Sequence, residues 1–243
     1  MLYAYYNNPQ MLRRQLHEWI KYDPALLDRT DFIVVDDGSM EAPALDVLAA
    51  ERHRIGALDL QVFRVMVDRP WGQDAARNVG MRNAATQWVL MSDMDHLLHF
   101  KQHPNMMEFV SRKAVRGNYY MPMRRKVVAN RDVIPYHPHP NTFLFHREDF
   151  WNMGGYDEDF VGYYGSDGNF RKCAKGDGLR EVIIDAFSMT MFGIDSIPDA
   201  NTRTLTRKEG DLWAAKHPAL NRKRMGPAYR AIDPLRAPYS KVY

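Results

Sequence analysis

Cysteine is nearly absent from this 243-residue chain. A lone Cys173 excludes an internal disulfide and any zinc site built on several thiolates. No apolar stretch approaches the roughly 20 residues that cross a bilayer, so no transmembrane segment is expected. Met1 runs straight into Leu2-Tyr3-Ala4-Tyr5-Tyr6, with neither a basic leader nor a cleavable apolar segment. A reducing, cytoplasmic setting follows as an expectation. Internal repeats and low-complexity tracts are missing too.

What is present is ordinary for a globular protein: 45% hydrophobic and 26% charged residues. The length suits one large domain, or one domain with an appendage. The net charge of +3 hides an asymmetry. Residues 201–243 carry ten Lys/Arg against three Asp/Glu, which makes this tail +7 and leaves −4 on the rest. A basic arm on an acidic body suits an anionic partner such as nucleic acid, a membrane surface or a phosphorylated acceptor. A solvated tail that keeps the protein soluble accounts for it equally well.

Hydrophobic patterning predicts alternating strands and helices in the first part of the chain. Leu2–Tyr6 reads as a strand, and Asn8-Pro9 as a helix start with Asn as N-cap. Met11, Leu12, Gln15, Leu16, Trp19 and Ile20 then recur at helical spacing. Phe32-Ile33-Val34-Val35 is a continuous apolar run, as in a parallel strand buried on both faces. Helices over Pro43–Arg54 and Asp74–Ala85 and strands over Leu60–Val67 and Trp88–Met91 complete a β-α-β-α-β-α-β order, which argues for a doubly wound α/β sheet. Further on, strands are expected at Tyr119–Met121, Thr142–Phe145 and Glu181–Ala186. Helices are expected at Arg147–Met153, Ser166–Lys175 and around Trp213–Lys216, with prolines interrupting the chain beyond.

The chemistry-bearing residues cluster at strand ends. Asp93-Met94-Asp95-His96 follows an apolar strand. Two carboxylates two residues apart on extended backbone face one side and can share a divalent cation with the phosphates it carries. Val34-Val35-Asp36-Asp37-Gly38-Ser39 ends another strand, where it is either a plain turn or an acceptor for a base or ribose. Arg77 lies near the start of the helix leading to the Asp93 strand, within reach of phosphate oxygens if it faces the crevice and a surface charge if it does not. His137 and His139 have a metal-like spacing, but interleaved prolines favour a stiff loop. Trp71, Tyr163 and Tyr164 can stack on a sugar or base, or simply form wall and core.

The motifs taken in order resemble the GT-A glycosyltransferases, in particular the inverting family 2 group, over most of residues 2–195. The resemblance is carried by Tyr6-Asn7, Val35-Asp36-Asp37-Gly38-Ser39, Ala76-Arg77-Asn78-Val79-Gly80, Asp93-Met94-Asp95, Gly154-Gly155-Tyr156-Asp157-Glu158-Asp159-Phe160 and Gly165-Ser166-Asp167. It implies an α/β GT-A fold, a Rossmann-like mixed sheet flanked by helices. Residues 1–200 would form the catalytic domain (1–97 binding the nucleotide sugar, 98–200 the acceptor), and 201–243 a basic C-terminal helix and tail. It also implies site roles. Tyr6, Asp36, Asp37, Arg77, Asp93, Gly154 and Gly155 would bind the donor. Asp93 and Asp95 would hold Mn²⁺ or Mg²⁺, and Asp167 would be the general base.

Two positions depart from the family pattern. Ser166 stands where many relatives have Glu, and the late histidine that often completes the metal shell is missing from Met189-Thr190-Met191-Phe192-Gly193-Ile194-Asp195. Asp195 can substitute there, as can His96, His146 or water. The expected donor is a UDP-sugar. The acceptor is a hydroxyl on a glycan, lipid or small molecule, or alternatively a hydroxymethylated pyrimidine in DNA, as in bacteriophage-type base modification. In the DNA case Arg222, Lys223 and Arg224 would grip phosphates. A sugar-phosphate nucleotidyltransferase would carry a glycine-rich loop where Tyr5-Tyr6-Asn7-Asn8-Pro9 stands, and a non-catalytic sugar-nucleotide-binding module would not need to keep both Asp95 and Asp167.

Overall fold

Asn8 and Pro9 open the first helix as their chemistry dictates. The Asn8 side chain accepts a hydrogen bond from the Met11 N–H at 3.1 Å, and Pro9 takes the first position, where no N–H is needed. Helix α1 (Pro9–Trp19) buries Met11, Leu12, Gln15, Leu16 and Trp19, whereas Ile20 is its half-buried C-cap. These positions belong to a computed structural model that describes residues 1–56, 58–69, 72–126, 135–161, 166–191, 197 and 238–243.

Four parallel strands carry the first half: β1 (Leu2–Tyr5), β2 (Phe32–Asp36), β3 (Leu60–Val65) and β4 (Trp88–Asp93), lying side by side as β3-β2-β1-β4. Every residue of β2 is buried, as its unbroken apolar run required. Side chains alternate between two cores. Tyr3, Tyr5, Phe32, Val34, Val62 and Leu90 meet Leu12, Leu16 and Trp19 on one face. Leu2, Ile33, Val35, Phe63, Val89 and Met91 meet Ala75, Ala76 and Val79 on the other. Trp19 stacks on Phe32 with ring centroids 4.8 Å apart. The second face is covered by α4 (Gln73–Asn83), where Gly80 permits close approach: a Cβ there would lie 2.0 Å from a Leu2 methyl carbon. Short helices α2 (Pro24–Leu27) and α3 (Ala44–Glu51) complete this half.

The order reverses between β1 and β4. In an open α/β sheet such a switch point leaves a crevice beyond the carboxyl ends of the strands. Tyr5 is in register with Asp36 and Ala4 with Asp93, so the end of β1 lies between the two acidic strand ends.

The second half turns the sheet mixed. After β5 (His96–Leu98) and α5 (His103–Arg112) come β6 (Asn118–Lys126), β7 (Pro135–Tyr136), β8 (Phe143–His146), α6 (Arg147–Asn152), α7 (Ser166–Gly176) and β9 (Arg180–Met191). Strand β8 runs antiparallel to β4, β6 follows it, and β9 runs parallel to β6. The doubly wound pattern therefore holds for the first four strands only. β6 runs on through Pro122, where the sequence pattern suggested a stop. The register shift between Pro122 and Met123 explains this, because a proline that cannot donate to the ladder is tolerated at a bulge. β5 pairs with the far end of β9, so the chain changes sheet neighbours within the two residues Met94 and Asp95.

The chain end also joins the sheet. β10 (Tyr239–Lys241) pairs antiparallel with β3 and covers its outer edge. The helix expected around 213–216, like most of the basic tail, lies outside the described residues. Among the described residues no helix is long and apolar enough to cross a membrane.

Candidate active site

The acidic end of β2 is a built turn. Asp36 is 1% exposed, and its two carboxylate oxygens accept the backbone N–H groups of Ser39 and Ala44, each at 2.8 Å. The Ala44 bond caps the start of α3, where Pro43 supplies no side-chain cap. Of the two carboxylates expected at the nucleoside, Asp36 is thus engaged in holding the loop itself. Asp37 is buried with the Gly72 N–H against it. Burial, then the charges of Asp36 and Asp74, push its pKa well above the usual carboxylate range. Tyr6 donates to Asp68 at 3.2 Å. Asn7 adopts φ +41° and ties this segment to the loop, its side-chain oxygen accepting from Glu41 and Ala42 at 3.1 and 3.0 Å.

Helix α4 grips three other pieces through its first two turns. Arg77 is 1% exposed; its guanidinium donates to the Tyr156 hydroxyl at 2.7 Å and to Asp93 Oδ1 at 2.5 Å. Burial opposes its charge, but Tyr156, Asp93 and Asp74 outweigh that and raise its pKa. Arg77 is therefore no surface charge: it is buried behind Asp93. Asn78 pairs with the Tyr156 backbone in both directions, each bond 2.9 Å, and donates to Glu158 at 2.9 Å. These bonds lock the Gly154-Gly155 turn. Gly155 sits at φ +66°, and a Cβ there would lie 2.8 Å from Asn78 Oδ1.

Asp93 and Asp95 do not share one face of an extended strand. β4 ends at Asp93, and Met94-Asp95 is a turn into β5. The remaining oxygen of Asp93 accepts from Asn141 at 3.3 Å and lies 3.7 Å from His139 Nε2. Asp95 instead meets His96 Nδ1 at 2.6 Å. That contact lowers its pKa against the opposing effect of burial. His96 is fully buried and packs on His139 with ring centroids 4.2 Å apart. Burial lowers the His139 pKa to about 4 despite nearby Asp93, so its imidazole is neutral at neutral pH. The two carboxylate side chains stay 27% and 32% exposed, enough to meet a ligand. His146 is excluded as a partner, since it pairs with Trp88 at the opposite end of β4.

The start of α7 completes the site. The Ser166 hydroxyl donates to Asp74 Oδ1 at 2.8 Å, and both residues are buried. Burial raises the Asp74 pKa to about 7. The adjacent Asp167 is also raised, chiefly by burial, with Arg77 opposing and Asp93 adding to the rise. Asp167 thus feels the charges of both Arg77 and Asp93, the latter 74 positions earlier in sequence.

His139, Asp74 and Gln15 belong to this site although their roles were not read from the sequence. Prolines masked His139. Asp74 sat unremarked at a helix start, and Gln15 fell on an apolar helix face. Asp195, Trp71, Tyr163, Tyr164, Arg222, Lys223 and Arg224 lie outside the described residues. Among the described residues no three His, Cys, Asp or Glu side chains converge on one point as a metal cage.

A mixed sheet of this order, with its acidic turns and buried arginine at the switch point, is the architecture of a nucleotide-diphospho-sugar transferase. The family model for glycosyl transferase family 2 matches residues 3–166, and the chain belongs to that family. Its fold is the GT-A fold of that family's structural relatives. Solved structures similar to it include S. aureus TarS (TM-score 0.60, 16% identity, covering 79% of this chain and 36% of that one). GalNAc-T7 with UDP, GalNAc and Mn²⁺ aligns at TM-score 0.61 and 16% identity, over 88% of this chain and 47% of its own. The mannosyltransferase PcManGT from Pyrobaculum calidifontis, with GDP-Man and Mn²⁺, aligns at TM-score 0.60 and 15% identity, over 93% and 64%. The chain therefore spans from 36% to 64% of the length of these three proteins. No curated protein matches it in sequence.

Proposed function

We propose that this glycosyltransferase moves a sugar from a nucleoside diphosphate, a UDP-sugar being the expected donor, to an acceptor hydroxyl with inversion. The observation that carries the reading is the buried Arg77, which is bonded to Asp93 and lies near enough to Asp167 for its charge to oppose the rise that burial causes there. Donor phosphates and the attacking hydroxyl need those two neighbourhoods in one crevice. The UDP, GDP-Man and Mn²⁺ in the matched structures support the donor and cation classes.

The donor set fits Mn²⁺ or Mg²⁺. Asp93 and Asp95 offer hard carboxylate oxygens, partly open to solvent, and a cation held by one or two carboxylates takes its other ligands from phosphates and water. When bound, the cation would neutralise charge developing on the leaving diphosphate. His96 orients Asp95 and holds its pKa down, and Arg77 orients Asp93 while adding a buried positive charge near the phosphates. Asp195 is a further candidate ligand in this proposal.

Asp167 takes the proton from the acceptor hydroxyl. Its pKa, raised mainly by burial, makes it a stronger base than an exposed aspartate, and such a base contributes about 10²–10⁴-fold. One base acting opposite the leaving group needs no covalent intermediate, hence inversion. Tyr6 and Asp37 would face the nucleoside, and the Gly154-Gly155 turn would line the sugar.

For the acceptor we favour a glycan, lipid or small-molecule hydroxyl. The +7 charge of residues 201–243 supports the second reading, a hydroxymethylated base in DNA. A thermal-shift panel of nucleoside diphosphates and their sugars, with and without Mn²⁺, tests the donor. Asp167→Asn should keep donor binding and lose transfer; full transfer by this variant would refute the base assignment. Loss of activity with rising salt on hydroxymethylated DNA would select the second acceptor.

A further inference from the structure

The turn that carries Asp95 is held from beneath by one side chain. Gln15, on the inner face of α1, is fully buried, and its Nε2 donates to the backbone carbonyls of Met94 at 2.5 Å and His96 at 2.8 Å. Both amide hydrogens are thus used on carbonyls flanking Asp95. A primary amide is the one uncharged side-chain group whose single nitrogen offers two donors.

The fold explains why a donor is needed there. β4 pairs with β8 through Met91 and with β1 through Asp93, and β5 begins pairing with β9 at His96. Between these ladders Met94 and Asp95 have no strand partner among the described residues. Buried backbone carbonyls left without donors are costly, and without Gln15 the turn would relax toward whatever donor it could reach. Gln15 fixes Met94 and His96, and His96 in turn holds Asp95 at 2.6 Å. The chain of contacts runs from the helix to the turn and on to the carboxylate.

We infer that Gln15 is a positioning residue that pre-shapes the Asp93–His96 turn for a cation-bound nucleoside diphosphate. The inference rests on the nucleotide-sugar and cation reading above. Gln15 touches no reacting atom; it acts through the turn. It is 79 positions from Met94 in sequence, so only the packing of α1 against the sheet brings the two together.

Three measurements test it on the full chain. Mn²⁺ binding in the presence of UDP, followed by the electron paramagnetic resonance of free Mn²⁺, should weaken about tenfold or more in Gln15→Met, which keeps the volume and loses both donors. UDP binding without metal should change less than twofold. Gln15→Glu, which sets carboxylate oxygens against two carbonyls, should be weaker still for Mn²⁺. Amide hydrogen exchange of residues 94–98 in the wild type should be slow before any ligand is added, and faster in Gln15→Met. Wild-type Mn²⁺ affinity in Gln15→Met, or fast exchange of the turn in the ligand-free wild type, would overturn the inference. A wild type that binds no Mn²⁺ with UDP would instead overturn the cation reading, and with it the purpose assigned to Gln15. A protected turn in that protein would separate this outcome from failure of the clamp.

Discussion

Ser166 donates its hydroxyl to buried Asp74 at 2.8 Å, which joins the start of α7 to the first turn of α4. The residue after Ser166 is the proposed base, so this bond sets where Asp167 stands relative to Arg77. Asp74→Ala should lower turnover about fivefold with donor affinity nearly unchanged, because one hydrogen bond worth about 1 kcal/mol positions the base. Asp74→Asn, which can still accept from Ser166, should restore most of the rate. Steady-state kinetics of the two variants, with donor binding measured separately, would decide it.

Asp74 also makes stability depend on pH. Its folded-state pKa is raised by burial from 3.8 to about 7. In the unfolded chain it ionises first, so it costs nothing below pH 3.8, and stability then declines as pH climbs toward 7. Asp74→Asn should therefore be more stable than the wild type at pH 8, by an amount of order a few kcal/mol at most, and equal to it near pH 4. Urea midpoints at the two pH values measure this. A constant difference would show that Asp74 is not the titrating group.

Arg77→Met should leave the Tyr156 hydroxyl and one oxygen of Asp93 without their buried partner. Removing one member of a buried ion pair costs about 3–5 kcal/mol, and the partial exposure of Asp93 places this case at or below the lower figure. Chemical denaturation gives the stability change. Donor affinity should fall as well, since Asp93 loses the contact that orients it.

Gly155→Ala tests the turn beside the proposed sugar site. The positive φ of +66° and the 2.8 Å approach of a Cβ to Asn78 both oppose it. A loss of about 1–3 kcal/mol is expected from the backbone strain. Gly178→Ala, at φ +85° but with open space around its Cβ, is the control that isolates the Asn78 clash.

Removal of residues 238–243 should uncover the β3 edge. It deletes the pairing of Tyr239, Ser240 and Lys241 with Val65, Arg64 and Phe63, as well as the packing of the Tyr239 ring against Phe63. An open edge strand templates association, so light scattering on warming should show earlier aggregation. An unchanged scattering onset would mean that the edge is protected otherwise.

Much of the fold was legible because its signals are local. The Asn8 cap, the apolar runs of β1 to β4 and the helical spacing of α1 depend on neighbours a few residues away, and the structure keeps each within a residue or two. Long-range pairing hid the rest. Pro122 looked like a strand stop because the bulge that accommodates it needs β9, some sixty residues on. β5 and β10 are three residues each, too short for periodicity to mark.

The site divides along the same line. Sequence alone placed carboxylates and an arginine at strand and helix ends, because backbone geometry and residue type settle that much. Tertiary structure decided what each one touches. Asp36 went to the α3 cap, Arg77 to a buried pair with Asp93, and Asp95 to His96, while Gln15 and Asp74 became supports. The physical reason is that a buried polar group must find its partner in space, and the available partners lie dozens of residues away along the chain.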